Sequence, residues 1–162
     1  NRTTLTTRTI LVRMEAKEMI DMVAMTSSEV RSDWSRVMDS VVRVRPAFIK
    51  RTRDRMMLCN IDTIAQLVEG LRFVADRHDE DDGSVTLSLV DLDIAVNEPD
   101  EQTAIHSLAA DISEYADEYY QNYEVYSKAP NRRAHLPYVM KALTAQTLKE
   151  LEGAVVCRVG KN

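Results

Sequence analysis

Glycine is scarce, at 4 of 162 residues, and none of the four belongs to a glycine-rich loop that could cradle a phosphate. Only two cysteines occur, Cys59 and Cys157, far apart in the chain. With no signal peptide in view, they point to a reduced, cytoplasmic setting. His78, His106 and His135 are scattered, with no His-x-x-x-His pair and no Cys-x-x-Cys motif, so zinc-type ligand spacing is missing. No apolar run approaches the roughly 20 residues needed to span a bilayer, and no membrane partner is expected. Glu114, Asp117 and Glu118 could gather round a cation but read more simply as a solvated helix face. Neither an enzyme, a metal nor a cofactor is expected.

What remains is an ordinary globular composition, 44% hydrophobic and 29% charged, enough for one domain or two small ones. The net charge of −5 is unevenly spread. Residues 1–77 carry 14 Lys+Arg against 10 Asp+Glu, and residues 78–162 carry 7 against 16. Between Arg43 and Arg55 there are six basic residues and one acid, Asp54. Such asymmetry fits a chain whose two ends meet different partners, or a solvated hairpin with a lopsided surface.

The stretch from Met25 to Gly70 is the most organised. Thr26 and Glu29 have capping-box spacing, and Met25 and Val30 stand where a hydrophobic staple would close around it. Val30, Trp34, Val37, Met38 and Val41 then form one helical stripe over 27–42. At that spacing Trp34 and Met38 read as core or dimer interface. Pro46 disfavours helix at Arg45, so the helix stops there. Phe48-Ile49 and Met56-Leu58 read as a strand and its return across Thr52-Arg53-Asp54-Arg55. Asn60 or Asp62 caps a second helix over 61–74. Arg31 lies one turn into the first helix, near its positive end, where the macrodipole disfavours a cation. It therefore suits a phosphate or base contact, or it is an exposed arginine packing its stem on the surface.

Three segments carry a family resemblance. Ser27-Ser28-Glu29-Val30-Arg31, Ser35-Arg36-Val37-Met38-Asp39-Ser40-Val41 and Pro46-Ala47-Phe48-Ile49-Lys50-Arg51 resemble, in order and spacing, the opening of the Phd/YefM antitoxins. The likeness covers about residues 23–74. The chain departs from the family at the hairpin tip, where Arg53-Asp54 stands in place of Asn-Gly. The resemblance implies an α+β fold, with a β-α-β-β-α dimerisation unit followed by a strand-plus-helices part. It implies a homodimer or higher even oligomer that binds operator DNA through Arg31 and Arg51, with Ser27, Lys50 and Arg53 adding contacts. It also implies a cognate toxin as partner, a basic RelE-like ribonuclease, and repression of the chain's own operon in a type II toxin–antitoxin system. The rivals are a stand-alone DNA-binding regulator and a protein-interaction module that does not bind DNA. On the same resemblance the native start falls near Met22 or Met25, which makes residues 1–22 an N-terminal extension.

Residues 23–77 are thus expected to form the DNA-binding and dimerisation domain, and the acidic run 78–84 a linker. That run lacks EF-hand ligand spacing, so calcium is not expected. Residues 85–162 form the toxin-binding or interaction region. There Val85, Leu87 and Leu89 alternate as a strand, and Leu92, Ile94 and Val96 extend it or form another. Glu98-Pro99-Asp100 opens a long helix, proline being acceptable in its first turn, with its stripe running through Ala104, Ile105, Leu108, Ile112, Tyr115, Tyr119, Tyr123 and Tyr126. Five of the six tyrosines lie between Tyr115 and Tyr126. Tyr115, Tyr119, Tyr123 and Tyr126 are the candidate toxin contacts, because tyrosine gives large contact area at low entropic cost. The alternative is a helix end half packed on its own domain. Pro137 starts another helix, Thr144 or Thr147 caps a short continuation, and Val155-Val156-Cys157 is a strand or a tail.

Overall fold

The computed structural model describes residues 16–159, with side chains from residue 20 onward. The threonine-rich start of the expected extension lies outside the described residues. In chain order the elements are α1 (Ala16–Val23), β1 (Met25–Thr26), α2 (Ser27–Ser32), α3 (Trp34–Arg43), β2 (Ala47–Arg51), β3 (Asp54–Leu58) and α4 (Ile61–Leu67). Then come β4 (Phe73–Asp79), β5 (Val85–Leu89), β6 (Ala95–Glu98), α5 (Glu101–Gln121), α6 (Tyr123–Tyr126), a 3₁₀ turn (Arg133–His135), α7 (Leu136–Thr144), α8 (Leu148–Ala154) and β7 (Val155–Val159). The class is α+β, with two separate sheets. The chain forms two compact units that divide after Thr63, inside α4.

In the first unit the capping box forms as its spacing requires. The Glu29 amide donates to Thr26 Oγ1 at 3.2 Å, and the Thr26 amide donates back to Glu29 Oε2 at 2.7 Å. These donors hold the Glu29 carboxyl below its usual range, the Thr26 backbone contributing most. The staple closes beneath, with Val30 buried and Met25 packed on the same cluster. The helix expected as one piece is two. Asp33 leaves helical geometry at φ −134°, its amide still closing α2 on the Glu29 carbonyl at 3.1 Å. The Asp33 carboxylate is taken by Arg36, three residues on. The bend swings α3 round so that Val37 and Val41 join Val30 and Ile49 in a small core.

The three-stranded sheet has the order β1-β2-β3. β1 runs parallel to β2, with Thr26 beside Lys50, and β2 pairs antiparallel with β3. Arg51 faces Asp54, so the hairpin turns through Thr52-Arg53, one residue earlier than expected. Arginine does not take the left-handed position: among the described non-glycine residues only Thr52 has a positive φ, 54°. A β-branched residue there is strained by roughly 1–2 kcal/mol, and glycine removes the clash. Thr52→Gly is therefore expected to raise stability by about 1 kcal/mol, read as a higher melting temperature.

The second unit is built on a sheet of order β6-β5-β4-β7. Two expectations change here. Residues 73–79, expected to end a helix and begin a linker, are β4, an interior strand paired with β5 on one side and β7 on the other. The acidic run 78–84 is no linker: it ends β4 and then turns the β4–β5 hairpin. Gly83 turns at φ 86°, and the Asp82 carboxylate accepts from the Ser84 amide at 3.0 Å and hydroxyl at 2.7 Å. Acidic character marks an exposed turn as readily as a linker, which is why composition misread it. Val85–Leu89 and the residues after it are two strands, β5 and β6, joined by a tight loop.

Phe73, Ala75, Val85, Leu87 and Leu89 turn one sheet face onto a core completed by Leu108, Ala109, Ile112 and Tyr119 of α5. α5 also packs on α7 and α8. It is capped by Asp100, whose carboxylate accepts from the Thr103 amide at 2.8 Å. Pro137 lies in the first turn of α7, and Thr147 caps α8. The tail after Ala154 is β7, running parallel to β4 with Phe73 beside Val155.

Candidate nucleic-acid interface and tyrosine helix

The tip of the β2–β3 hairpin is ringed with cations. Arg53 sits in the turn, Arg51 in the last β2 pair and Lys50 opposite Arg55 in the pair behind it. Because Thr26 stands beside Lys50, Ser27 and the start of α2 lie level with the Arg51 end of β2. Ser27 and Arg31 are four residues apart on α2 and so share a helix face. Ser27, Arg31, Arg51 and Arg53 are thereby gathered at one end of the first unit. Arg31, Arg51 and Arg53 are exposed and form no ion pair among the described residues. Unpaired guanidinium groups held in this way can make bidentate contact with phosphate or guanine.

Lys50 does not join them. Alternate strand residues point to opposite sheet faces, so Lys50 looks away from the face that carries Ile49 and Arg51. It donates to Asp21 Oδ2 of α1 at 3.0 Å, and Arg55 grips the same carboxylate through Nε at 3.0 Å and Nη2 at 2.9 Å. Arg55 and then Lys50 hold the Asp21 carboxyl below its ordinary value. Lys50, expected to add a phosphate contact, is thus held by an internal anion in this structure. Sequence reads Arg55 as one of the turn's arginines suited to phosphate or guanine and gives Asp21 no role. Their pairing depends on α1 folding back over β2, a contact 29 to 34 residues long.

The first unit leaves much apolar surface uncovered. Among the described residues its buried core is Val30, Val37, Val41 and Ile49. Trp34 is 53% exposed, Val42 58% and Val44 76%, and Met56 and Met57 lie open on the edge strand β3. The helical stripe expected to hold Trp34 in core or interface puts it outside this unit's core.

The tyrosines part company. Tyr119 is 0% exposed, deep in the second core, and its hydroxyl donates to the Arg132 carbonyl at 3.3 Å. Tyr115 stands 2.6 Å from His135 Nδ1, and the Tyr126 hydroxyl donates to Glu118. The Arg132 guanidinium lies 4.1 Å over the Tyr126 ring and 5.6 Å from the Tyr115 ring. Tyr119 as a partner contact is therefore corrected, and Tyr115 and Tyr126 are largely spent on a clasp that fastens segment 127–135 to α5. The helical stripe that suggested a surface is the buried side of α5. The exposed side carries Tyr120 at 62%, a residue the stripe had passed over, with Tyr123 and Val125 next to it. Asp111, Glu114 and Asp117 on α5 form no ion pair among the described residues.

His135 is the buried titratable group of this clasp. Burial is the main cause lowering its pKa from 6.5, Arg132 adding to it and Asp93 and Asp91 opposing. The neutral ring shares a hydrogen bond with the Tyr115 hydroxyl through Nδ1, its direction set by the tautomer. A base with a depressed folded pKa contributes stability that is complete above its unfolded value and is lost as pH falls below it. The second unit is expected to melt at lower temperature once pH drops below 6.5, and His135→Gln should flatten that slope.

A family model described as PHD-like, "Antitoxin of toxin-antitoxin, RelE / RelB, TA system", matches residues 19–157. The chain belongs to this antitoxin family. The match takes in both units and begins at residue 19, inside the segment expected to be an extension. Among solved structures, the antitoxin is similar to an antitoxin part of a proposed toxin/antitoxin system from Syntrophomonas wolfei subsp. wolfei. The two share 31% identity and a TM-score of 0.81, over 84% of this chain and 98% of that one. No curated protein matches. No described helix is long and apolar enough to cross a membrane, and no described group of His, Cys, Asp and Glu could hold a metal ion.

Proposed function

We propose that this antitoxin neutralises a RelE-like ribonuclease toxin by covering it, and represses its own operon as a Phd/YefM-type DNA-binding dimer. The observation that carries the DNA half is the cluster of Ser27, Arg31, Arg51 and Arg53 at one end of the first unit, with the three arginines unpaired. Two copies would set two such clusters against successive stretches of one duplex. The four-residue core supports the dimer. A unit this small buries too little to be stable alone, and the exposed Trp34, Val42, Met56 and Met57 are what a second copy would cover.

The toxin half rests on the second unit. There the exposed Tyr120 stands one turn from the unpaired carboxylate of Asp117 on α5, with Tyr123 and Val125 following in α6, a surface suited to a basic protein. Inhibition of this kind is steric, and the antitoxin's own residues carry out no bond chemistry. The experiment is to co-express the tagged antitoxin with the adjacent open reading frame and purify the complex. A basic partner of about 100 residues, and specific retardation of upstream DNA by the antitoxin alone, are expected. A monomer that neither retards DNA nor retains a partner would sink both halves.

A further inference from the structure

We propose that Lys50 and Arg55 form a second anion site for a nucleic-acid backbone phosphate, and that Asp21 occupies it as an internal substitute that must swing out before phosphate enters. The proposal rests on the DNA-binding reading above and adds to it a contact residue, Arg55, and a gate.

The site is built from the hairpin register. Lys50 and Arg55 are directly opposed across β2 and β3, so their side chains share one sheet face. Two cations facing each other across an antiparallel pair repel, and the arrangement wants an anion between them. Asp21 supplies it: Lys50 Nζ at 3.0 Å, Arg55 Nε at 3.0 Å and Arg55 Nη2 at 2.9 Å all donate to its two carboxylate oxygens. A guanidinium fork and an ammonium converging on two oxygens is also the donor set that a phosphate takes. The site lies beside the proposed DNA-binding tip. Lys50 and Arg55 are the first pair behind Arg51 and Asp54 and leave the sheet on the opposite face, so a duplex met by Arg51 and Arg53 reaches this site where its backbone passes round the tip to that face.

The occupant is removable. Asp21 belongs to α1, not to the hairpin, and the side chains of Lys50, Arg55 and Asp21 remain 41%, 25% and 30% exposed. Solvent reaches the pair, and screening keeps such contacts weak enough to exchange. A backbone phosphate has more oxygens to offer than a carboxylate and arrives tethered to a polyanion already held at the tip. Closed, the site hides two positive charges from non-specific DNA. Opened, it adds them to a duplex that the tip has engaged.

Binding of duplex DNA from the antitoxin's own upstream region, followed by fluorescence anisotropy over a range of salt, tests this. Asp21→Asn keeps the side-chain shape and removes the competing charge. It is expected to tighten binding about tenfold near 0.1 M salt and to steepen the salt dependence by one to two ions. Arg55→Gln in the Asp21→Asn background should return affinity to about the wild-type level, and Arg55→Gln alone should weaken binding a few-fold, because the opened site then lacks its guanidinium. Circular dichroism and melting of each variant confirm that the unit stays folded, and Asp21→Ser repeats the test should the asparagine disturb α1. If the wild type binds through Arg31 and Arg51 but Asp21→Asn binds no better, Asp21 is only a staple for α1 and this proposal fails while the DNA reading stands. If neither protein binds duplex DNA, both fail. Should inorganic phosphate raise the melting point of Asp21→Asn while duplex affinity stays at the wild-type value, the site takes a small anion and the nucleic-acid assignment is overturned.

Discussion

Replacing Arg31 and Arg51 together by alanine is expected to weaken binding to the antitoxin's own upstream DNA by about a hundredfold or more. Each bidentate arginine contact is worth roughly 1–3 kcal/mol, and both side chains are exposed, so their removal leaves no buried group unsatisfied. The fold should therefore be unchanged, with the melting temperature within a degree or two of wild type. The loss should exceed that for Arg43→Ala, another exposed cation of the basic segment that is placed at the end of α3 instead. Anisotropy titrations at one fixed salt concentration make the comparison, because counterion release alone changes affinity steeply with salt. Wild-type affinity in the double variant would remove the DNA-binding reading, since no other exposed guanidinium pair lies at that end of the first unit among the described residues.

The tyrosines divide into those that hold the second unit together and those that are free to meet a partner, and substitution should separate them. Tyr119→Ala empties a site that is 0% exposed beneath α5. Loss of a buried aromatic ring costs about 3–5 kcal/mol, and the hydroxyl's bond to the Arg132 carbonyl goes with it. In a unit of this size that lowers the melting temperature by about 15 °C or more. The paired change Tyr120→Ala and Tyr123→Ala touches two exposed rings. It should leave the melting temperature within about 2 °C and weaken toxin capture at least tenfold, in line with truncation of interface tyrosines. The same pair leaving toxin capture intact would move the partner surface elsewhere on the antitoxin.

These outcomes also measure how far one sequence can be read. The capping box at Thr26 and Glu29, the staple of Met25 and Val30, and Thr147 as one of two candidate caps were legible, because each is closed by residues within five positions. The basic hairpin was legible from its short turn, and the class of the fold from the family resemblance. Arg31 and Arg51 could be singled out because the family resemblance supplied a partner for them that neighbouring residues did not.

The losses are equally specific. β4 was taken for a helix end because what makes it an interior strand is β7, some 80 residues later, lying parallel beside it. The acidic run 78–84 was taken for a linker because charge reports exposure and not connectivity. Periodicity placed Tyr119 and Tyr123 on one stripe, but it does not say whether a stripe faces a core or a partner. In this protein that depended on the rest of the unit: the sheet, α7 and the Arg132 segment close over Tyr119 and leave Tyr120 outside.

Local chemistry, written into consecutive residues, was enough to set where the capping box starts a helix and, to within one residue, where the hairpin turns. Which cations are free and which are neutralised was settled by folding, because Asp21 reaches Lys50 and Arg55 only when α1 lies back across the hairpin. The physical reason is range. Capping and turn formation act over a few bonds of chain, whereas burial and ion pairing depend on distances in space that segments far apart in sequence set jointly.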